Sequence, residues 1–329
     1  MRVCVVGAGA IGGLMAVRLA AAGVPVSVLA RGEHLAAIRH HGLRLVEADG
    51  GELVANDLLA SDDFAALGPH DVVILALKAH QIPAVADRLG HLYGADTVVV
   101  PVQNGIGWWY FERHGGPYDG RRLRTLDPGG VLAAAVSAAR IVGCIAYPAA
   151  EKVGPGVIRH VEGDRFPVGE LDGSRSERAA AVAARLGAAG FTSRVLTDIR
   201  SHVWVKAWGN LAFNPISALT GATLAQVCRN EDTRELAAAM MNEAAEIARR
   251  LGVRLRVTVE QRIAGAEKVG EHKTSMLQDA EAGRPLEVDP LVGVFVELGE
   301  LTEVRTPTIS TVYALAKLLN RRLQAAASG

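Results

Sequence analysis

Arg2-Val3-Cys4-Val5-Val6-Gly7-Ala8-Gly9-Ala10-Ile11-Gly12 is the stretch whose reading decides the fold. Residues 2–6 form a short, valine-rich apolar run, which suits a buried strand. Gly7 to Gly12 then lead into the alanine-rich segment Ile11–Ala22, which Gly23 ends, so the order is strand, glycine turn, helix. Gly7-Ala8-Gly9-Ala10-Ile11-Gly12 fits G-x-G-x-x-G, in which the glycines provide, in turn, a tight turn, close approach of backbone to a pyrophosphate, and close packing of helix on strand. Amides at the helix start face the phosphates. A glycine turn of this kind occurs for many reasons when alone. Between an N-terminal strand and a helix, it predicts a dinucleotide site formed by Gly7, Ala8, Gly9, Ala10, Ile11 and Gly12.

Working outward, the strand Val26–Leu29 precedes a helical segment near Glu33–His41, and Leu43–Val46 and Glu52–Ala55 flank Asp49-Gly50-Gly51 as a hairpin. The strand Asp71–Leu77, a helix to about Leu92 and the strand Thr97–Pro101 follow, closed by the Gln103-Asn104-Gly105 turn. This alternation predicts a doubly wound parallel sheet covered on both faces. The end of the second strand selects the cofactor, because an acid ~20 residues past the glycines binds the ribose 2′-hydroxyl of NAD. Here the chain reads Val28-Leu29-Ala30-Arg31-Gly32, without a carboxylate. Arg31 can offer a fork of donors to a 2′-phosphate, so NADPH/NADP+ is expected; the plainer alternative is a solvated loop arginine.

From Trp108 to Arg140 regularity lapses, with two glycine pairs, Pro117, Pro128 and a basic cluster at Arg121–Arg124, as in an insertion or extended loop. Strands return near Ile141–Tyr147, Val157–His160 and Phe166–Gly169, then a helix through Ser176–Ala189 and a last strand at Thr192–Leu196. Beyond it, segments 200–219, 232–251, 258–270, 275–282, 290–303 and 308–323 have helical spacing or composition. The expected α/β architecture is an N-terminal Rossmann-like domain, 1–196, with an insertion near 108–140, followed by an all-α domain, 197–329.

Composition narrows the function. A chain of 329 residues, half of them hydrophobic, is long enough for two cores. Lysine plus arginine balances aspartate plus glutamate at 35 each, so no net field favours nucleic acid or an anionic membrane, and a small molecule is the expected partner. Arg18, Lys78 and Lys206 interrupt the apolar stretches before any reaches the ~18 residues of a membrane span. Cys4, Cys144 and Cys228 lie far apart, with no metal-ligand spacing to the histidines, and read as buried free thiols; no metal is expected. A strand beginning at Arg2 leaves no room for a charged leader, so a cytoplasmic location is expected.

In the apolar segment Val203–Asn214, Lys206, Asn210 and Asn214 recur at i, i+4 and i+8 along one helical face. A buried ammonium with two amides costs several kcal/mol unless they meet partners or line a wet cleft, so the stripe marks a candidate site. The alternative is the solvent face of an amphipathic helix. In Gly283-Arg284-Pro285-Leu286-Glu287-Val288-Asp289-Pro290, Asp289 is the better helix cap, with Pro290 at a favoured first-turn position, which leaves Glu287 without a structural role.

With these residues in view, the chain resembles the ketopantoate reductases (2-dehydropantoate 2-reductases) over nearly its full length. The resemblance is carried by the glycine motif with Arg31, Leu77-Lys78-Ala79, Gln103-Asn104-Gly105, the Pro155–His160 hairpin, Lys206 with Asn210 and Asn214-Pro215, and Ser275-Met276-Leu277-Gln278-Asp279 followed by Glu287-Val288-Asp289. It implies that Lys206 is the catalytic acid, Glu287 its carboxylate partner near substrate, and Asn104 a residue at the nicotinamide. It implies that Lys78, Asn210, Asn214 and Ser275 complete the cofactor and substrate contacts. The implied reaction is NADPH-dependent reduction of 2-dehydropantoate to pantoate in pantothenate biosynthesis, with a homodimer as the assembly left open. Hydride delivery to a ketone builds negative charge on oxygen, which a positioned ammonium stabilises and protonates. One departure concerns Ile106-Gly107-Trp108-Trp109-Tyr110-Phe111: the segment through Arg140 is longer than the family's usual connection. Its four aromatics either reshape the pocket for another 2-oxo acid or pack the insertion onto its domain. A regulator that binds NADPH without catalysis is a third reading, one that would not require Lys206, Asn210 and Glu287 together.

Overall fold

The computed structural model describes residues 1–328. Val3–Val6 (β1) is buried at every position, the pattern of a strand covered on both faces. The glycine turn carries the chain into α1 (Ala10–Ala21), and Val26–Leu29 (β2) returns parallel to β1, with Val3 opposite Val26. After α2 (Gly32–His41) come the antiparallel pair β3 (Leu43–Val46) and β4 (Glu52–Ala55), then β5 (Leu59–Ser61), α3 (Phe64–Leu67), β6 (His70–Leu75) and β7 (Tyr93–Pro101). The parallel sheet has the order β5-β2-β1-β6-β7, so the direction of winding reverses between β1 and β6. At that reversal the carboxyl ends of the strands leave a crevice for a ligand. Leu14, Met15 and Leu19 of α1 are almost fully buried, each contributing ~1.5–3 kcal/mol by leaving water.

A short α4 (Val131–Ala135) is followed by β8 (Val142–Cys144), β9 (Ala149–Gly154), β10 (Val157–Glu162), β11 (Val168–Glu170) and α5 (Glu177–Ala188). β9 and β10 form a hairpin that joins β3 and β4 in a second sheet, ordered β4-β3-β10-β9. A Cβ on Gly13 would fall 2.6 Å from Ile158 Cγ1, so glycine there lets α1 close onto this sheet. Helices follow: α6 (Ile199–Thr220), α7 (Leu224–Arg229), α8 (Glu231–Arg250), α9 (Val259–Glu267), α10 (Ser275–Glu281), a π-helical turn at Asp289–Gly293, α11 (Val294–Thr302) and α12 (Pro307–Ser328). None of the described helices is long and apolar enough to cross a membrane.

Contacts group the chain into two units: Met1–Gln103 with Trp108–Arg122 and Gly129–Ile199, and Asn104–Gly107 with Leu123–Pro128 and the residues from Arg200 onward. The short segments Asn104–Gly107 and Leu123–Pro128 thus belong with the helices, although they lie inside the first half of the sequence.

Several elements differ from expectation. The helix expected through Leu92 is instead 3-10, at Ala79–Gln81 and Pro83–Leu92; Pro83 lacks the amide that would have continued the first turn. Thr192–Leu196 pairs only through single bridges, Arg165 with Thr192 and Val168 with Val195. β5, β9 and α7 were not foreseen: β5 and α7 are short, and β9 has partly exposed, mixed composition. Asp289 does not cap a helix. Its carboxylate accepts the Tyr313 hydroxyl at 2.7 Å, and the turn beginning there is π-helical.

Candidate active site

In the first unit the glycine turn is fixed from three directions. The amides of Gly7 and Ala8 both donate to the Leu29 carbonyl, at 3.1 and 3.3 Å. Gly7 has φ +104, and a Cβ there would lie 2.8 Å from Leu77 Cδ2; on Gly12 it would lie 2.0 Å from the Gly7 carbonyl oxygen. Both positions therefore demand glycine. Gly9 differs, since a Cβ there would meet nothing within 4 Å. Gly9, the second glycine of the motif, leaves open space where a side chain would stand in the way of an approaching pyrophosphate. The first ladder bond of α1 runs from Gly13 N–H to the Gly9 carbonyl at 2.7 Å, so the amides of Ala10, Ile11 and Gly12 have no partner a turn earlier, and no acid stands in the first turn. This cradle fits a dinucleotide pyrophosphate.

Arg31 is exposed at the N-terminus of α2, directly after β2, with its side chain not used as a cap. Lys78 follows β6 beside the same turn and is half-buried; its backbone amide donates to Gln81 Oε1 at 3.2 Å. Gln103 Nε2 donates to the carbonyls of Leu75 and Leu77 at 2.5 and 3.1 Å, tying the start of the Gln103-Asn104-Gly105 turn to the end of β6. Burial pushes the Cys4 thiol up to about 12, and Cys144 and Cys228 are also buried and free of disulfides, so the cysteines are packing residues.

The second unit is organised on α6. Trp204 packs edge-on against Phe295, with centroids 5.3 Å apart, and Trp208 Nε1 donates to the Met241 carbonyl at 2.7 Å. These anchors fix the rotation of the helix and hence the direction of its polar stripe. The stripe is no solvent face: Lys206 and Asn210 are half-buried and Asn214 is only 6% exposed. Lys206 Nζ donates to Asn104 Oδ1 at 2.7 Å.

Asn104 is itself held by its neighbour. Gly105 has φ +81, and a Cβ on it would fall 2.1 Å from the Pro290 carbonyl oxygen; the Ile106 amide donates to that oxygen at 3.2 Å. The π-helical turn is set in turn by Tyr313, which bonds Asp289 and covers Gly293, where a Cβ would lie 2.6 Å from Tyr313 Cζ. Glu287 precedes this turn and is half-buried. The structure thus joins Lys206 directly to Asn104, and Asn104 through Gly105 to the turn that follows Glu287. Ser275 is exposed as the first residue of α10, whose cap is Thr274, accepting from the Leu277 amide at 3.2 Å. Tyr313, Gly293 and Pro290 are positioning residues that sequence reasoning missed; Pro290 in the place of a first-turn proline was the sole signal.

The aromatic segment is a packing feature. Trp108, Trp109, Tyr110 and Phe111 are 7%, 3%, 0% and 0% exposed, and Phe111 lies within 5.0–5.7 Å of the Tyr110, His114 and Tyr118 rings. A Cβ on Gly143 would come 3.2 Å from Trp109 Cη2, so β8 closes over that ring. Of the two readings of these rings, burial this complete favours packing of the segment into the core over a pocket lining.

Two family models match successive parts of the chain. The family model described as "Ketopantoate reductase PanE/ApbA" matches residues 3–108, and "Ketopantoate reductase PanE/ApbA C terminal" matches 198–320. A 2-dehydropantoate 2-reductase from Mesorhizobium japonicum is 51% identical, over 97% of this chain and 98% of its own. One from Archaeoglobus fulgidus is 32% identical, over 91% of each. The crystal structure of a putative ketopantoate reductase from Ralstonia solanacearum superposes with TM-score 0.93 at 41% identity, covering 98% of both chains.

Proposed function

The chain belongs to the ketopantoate reductase family, and from that premise we propose that it reduces 2-dehydropantoate to pantoate with NADPH, using Lys206 as the proton donor. The observation that carries the reading is the Lys206–Asn104 hydrogen bond of 2.7 Å, made from a helix otherwise committed to the core. Gly7 to Gly12 hold the pyrophosphate, Arg31 and Lys78 take the phosphates, and the cofactor, when bound, supplies the hydride that adds to the carbonyl carbon.

As the carbon–oxygen π bond gives way, charge grows on oxygen. The Lys206 ammonium stabilises that charge and passes one proton to the alkoxide, leaving a neutral amine and the product hydroxyl. One of its three donors is committed to Asn104, which fixes the position of the nitrogen. Glu287 accepts a hydrogen bond from the substrate hydroxyl and balances the ammonium, while Asn210, Asn214 and Ser275 bind hydroxyl and carboxylate oxygens. With Trp108 to Phe111 in the core, the reading that another 2-oxo acid is preferred loses the feature that suggested it. NADPH oxidation measured against a panel of 2-oxo acids tests the proposal: 2-dehydropantoate should have the highest kcat/KM, and a better substrate among the others would overturn it.

A further inference from the structure

The glycine turn has a fourth support that the reaction does not account for. His34, one helical turn into α2 from Arg31, has its Nε2 2.6 Å from the Ala8 carbonyl oxygen, and the Gly156 amide lies 2.9 Å from its Nδ1. A carbonyl can only accept and a backbone amide can only donate. The ring must therefore carry its proton on Nε2 and keep a lone pair on Nδ1. It is a neutral bridge with fixed polarity, running from the middle of the phosphate-binding turn to the tip of the β9–β10 hairpin.

The hairpin tip is shaped to receive it. Gly156 has φ +71, and a Cβ there would stand 3.1 Å from Ala37 Cβ, so only glycine brings the tip this close to α2. The next strand places Ile158 against Gly13 of α1. The second sheet thus backs the turn through two contacts, one apolar under the helix and one polar through His34. Ala8 separates the two glycines whose backbone forms the cradle, and its peptide sets the direction of the Gly9 amide. Burial holds the His34 imidazole below its ordinary value; its bond to Ala8 opposes this and the nearby Lys152 ammonium adds to it. The neutral form that the two bonds require is the form so favoured.

We propose that His34 is a positioning residue for the cofactor: by bridging Ala8 and Gly156 it holds the phosphate-binding turn in the conformation that accepts NADPH, so that the second sheet contributes to cofactor affinity without touching the cofactor. This rests on NADPH being the cofactor, and the test reads binding directly, so a wild-type protein that binds no NADPH would refute that reading, and this inference with it, before any variant is compared.

Two variants separate positioning from bulk. His34→Ala removes both bonds. His34→Gln can restore both, because its amide nitrogen and oxygen are about as far apart as the ring nitrogens, the nitrogen donating to Ala8 and the oxygen accepting from Gly156. NADPH titrations should give a Kd raised roughly tenfold or more in His34→Ala, as expected for two lost hydrogen bonds behind a turn, and within about threefold of wild type in His34→Gln. At saturating NADPH, kcat of both should stay within about twofold of wild type, since Lys206 is untouched. An unchanged Kd in His34→Ala would overturn the proposal. So would a His34→Gln protein that melts with wild-type Tm yet binds as weakly as His34→Ala, or a loss that falls on kcat instead of Kd. If His34→Ala does not fold, His34→Leu, which fills the space of the ring but can make neither bond, takes its place and should show the same rise in Kd, an unchanged Kd again overturning the proposal.

Discussion

Replacing Gly105 by alanine tests how Asn104 is positioned, and the structure sets the size of the effect. The new Cβ would lie 2.1 Å from the Pro290 oxygen, where real contacts begin near 3.0 Å, so turn and carbonyl must part by about 0.9 Å. Passed to the adjacent residue, that shift stretches the 2.7 Å Lys206–Asn104 bond to about 3.6 Å, beyond hydrogen-bond range. The left-handed backbone adds ~1–2 kcal/mol for a residue with a Cβ, and the overlap ~1–3 kcal/mol. Gly105→Ala should therefore lose ~2–5 kcal/mol of stability by denaturant titration and lower kcat by ~10- to 100-fold, the usual cost of misplacing a catalytic group by an ångström. Gly115→Ala is the control: φ is +72 but a Cβ meets nothing within 4 Å, so it should cost only the conformational part and leave kcat unchanged. A Gly105→Ala enzyme with kcat within twofold of wild type would refute the claim that the Pro290 contact positions Asn104.

Three further expectations follow from other parts of the chain. NADPH should bind ~1–3 kcal/mol more tightly than NADH, and Arg31→Ala should erase that difference, by isothermal titration; equal loss of both cofactors would return Arg31 to a solvated loop residue. Glu303 ends α11 at φ 56 and ψ 35, so Glu303→Gly should raise stability by ~0.5–1 kcal/mol in urea titration; an unchanged or lowered stability would deny that strain is held there. Burial raises the Glu170 carboxyl, but hydrogen bonds from Arg178 and Ser176 outweigh it and leave the group below its ordinary value. A depressed carboxylate stabilises above its unfolded pKa and loses that contribution as pH falls through the folded one. The Tm advantage of wild type over Glu170→Gln should thus be full at pH 7 and shrink only below the ordinary value of 4.5; a constant gap would deny the ion pair its role.

What the sequence discloses here depends on how local the cause is. The requirement for glycine at Gly7 and Gly12 comes from a turn and a neighbouring strand, and a motif of six residues carries it whole. The stripe of Lys206, Asn210 and Asn214 is equally local, because helical periodicity alone puts them on one face, and their burial then excludes a solvated surface. The support behind Asn104 is another matter. It passes from Gly105 to Pro290 and from Asp289 to Tyr313, contacts across many residues of chain that no spacing announces. That is also why Asp289 looked like a cap: Asp-Pro before an apolar run is the right local pattern, and a tertiary hydrogen bond overrides it. Trp108 to Phe111 left two readings open for the converse reason, since a run of four aromatics does not say which way the side chains are buried. Short elements such as β5 and α7 have too few residues for periodicity to register.

Protonation of the reduced carbonyl oxygen by Lys206 is measured most directly by steady-state NADPH oxidation with 2-dehydropantoate in Lys206→Ala beside wild type, with NADPH affinity titrated on both. In Lys206→Ala, kcat should be lower by ~10²–10⁴ with NADPH affinity nearly unchanged; a folded variant turning over at close to the wild-type rate would contradict the role of Lys206 as proton donor.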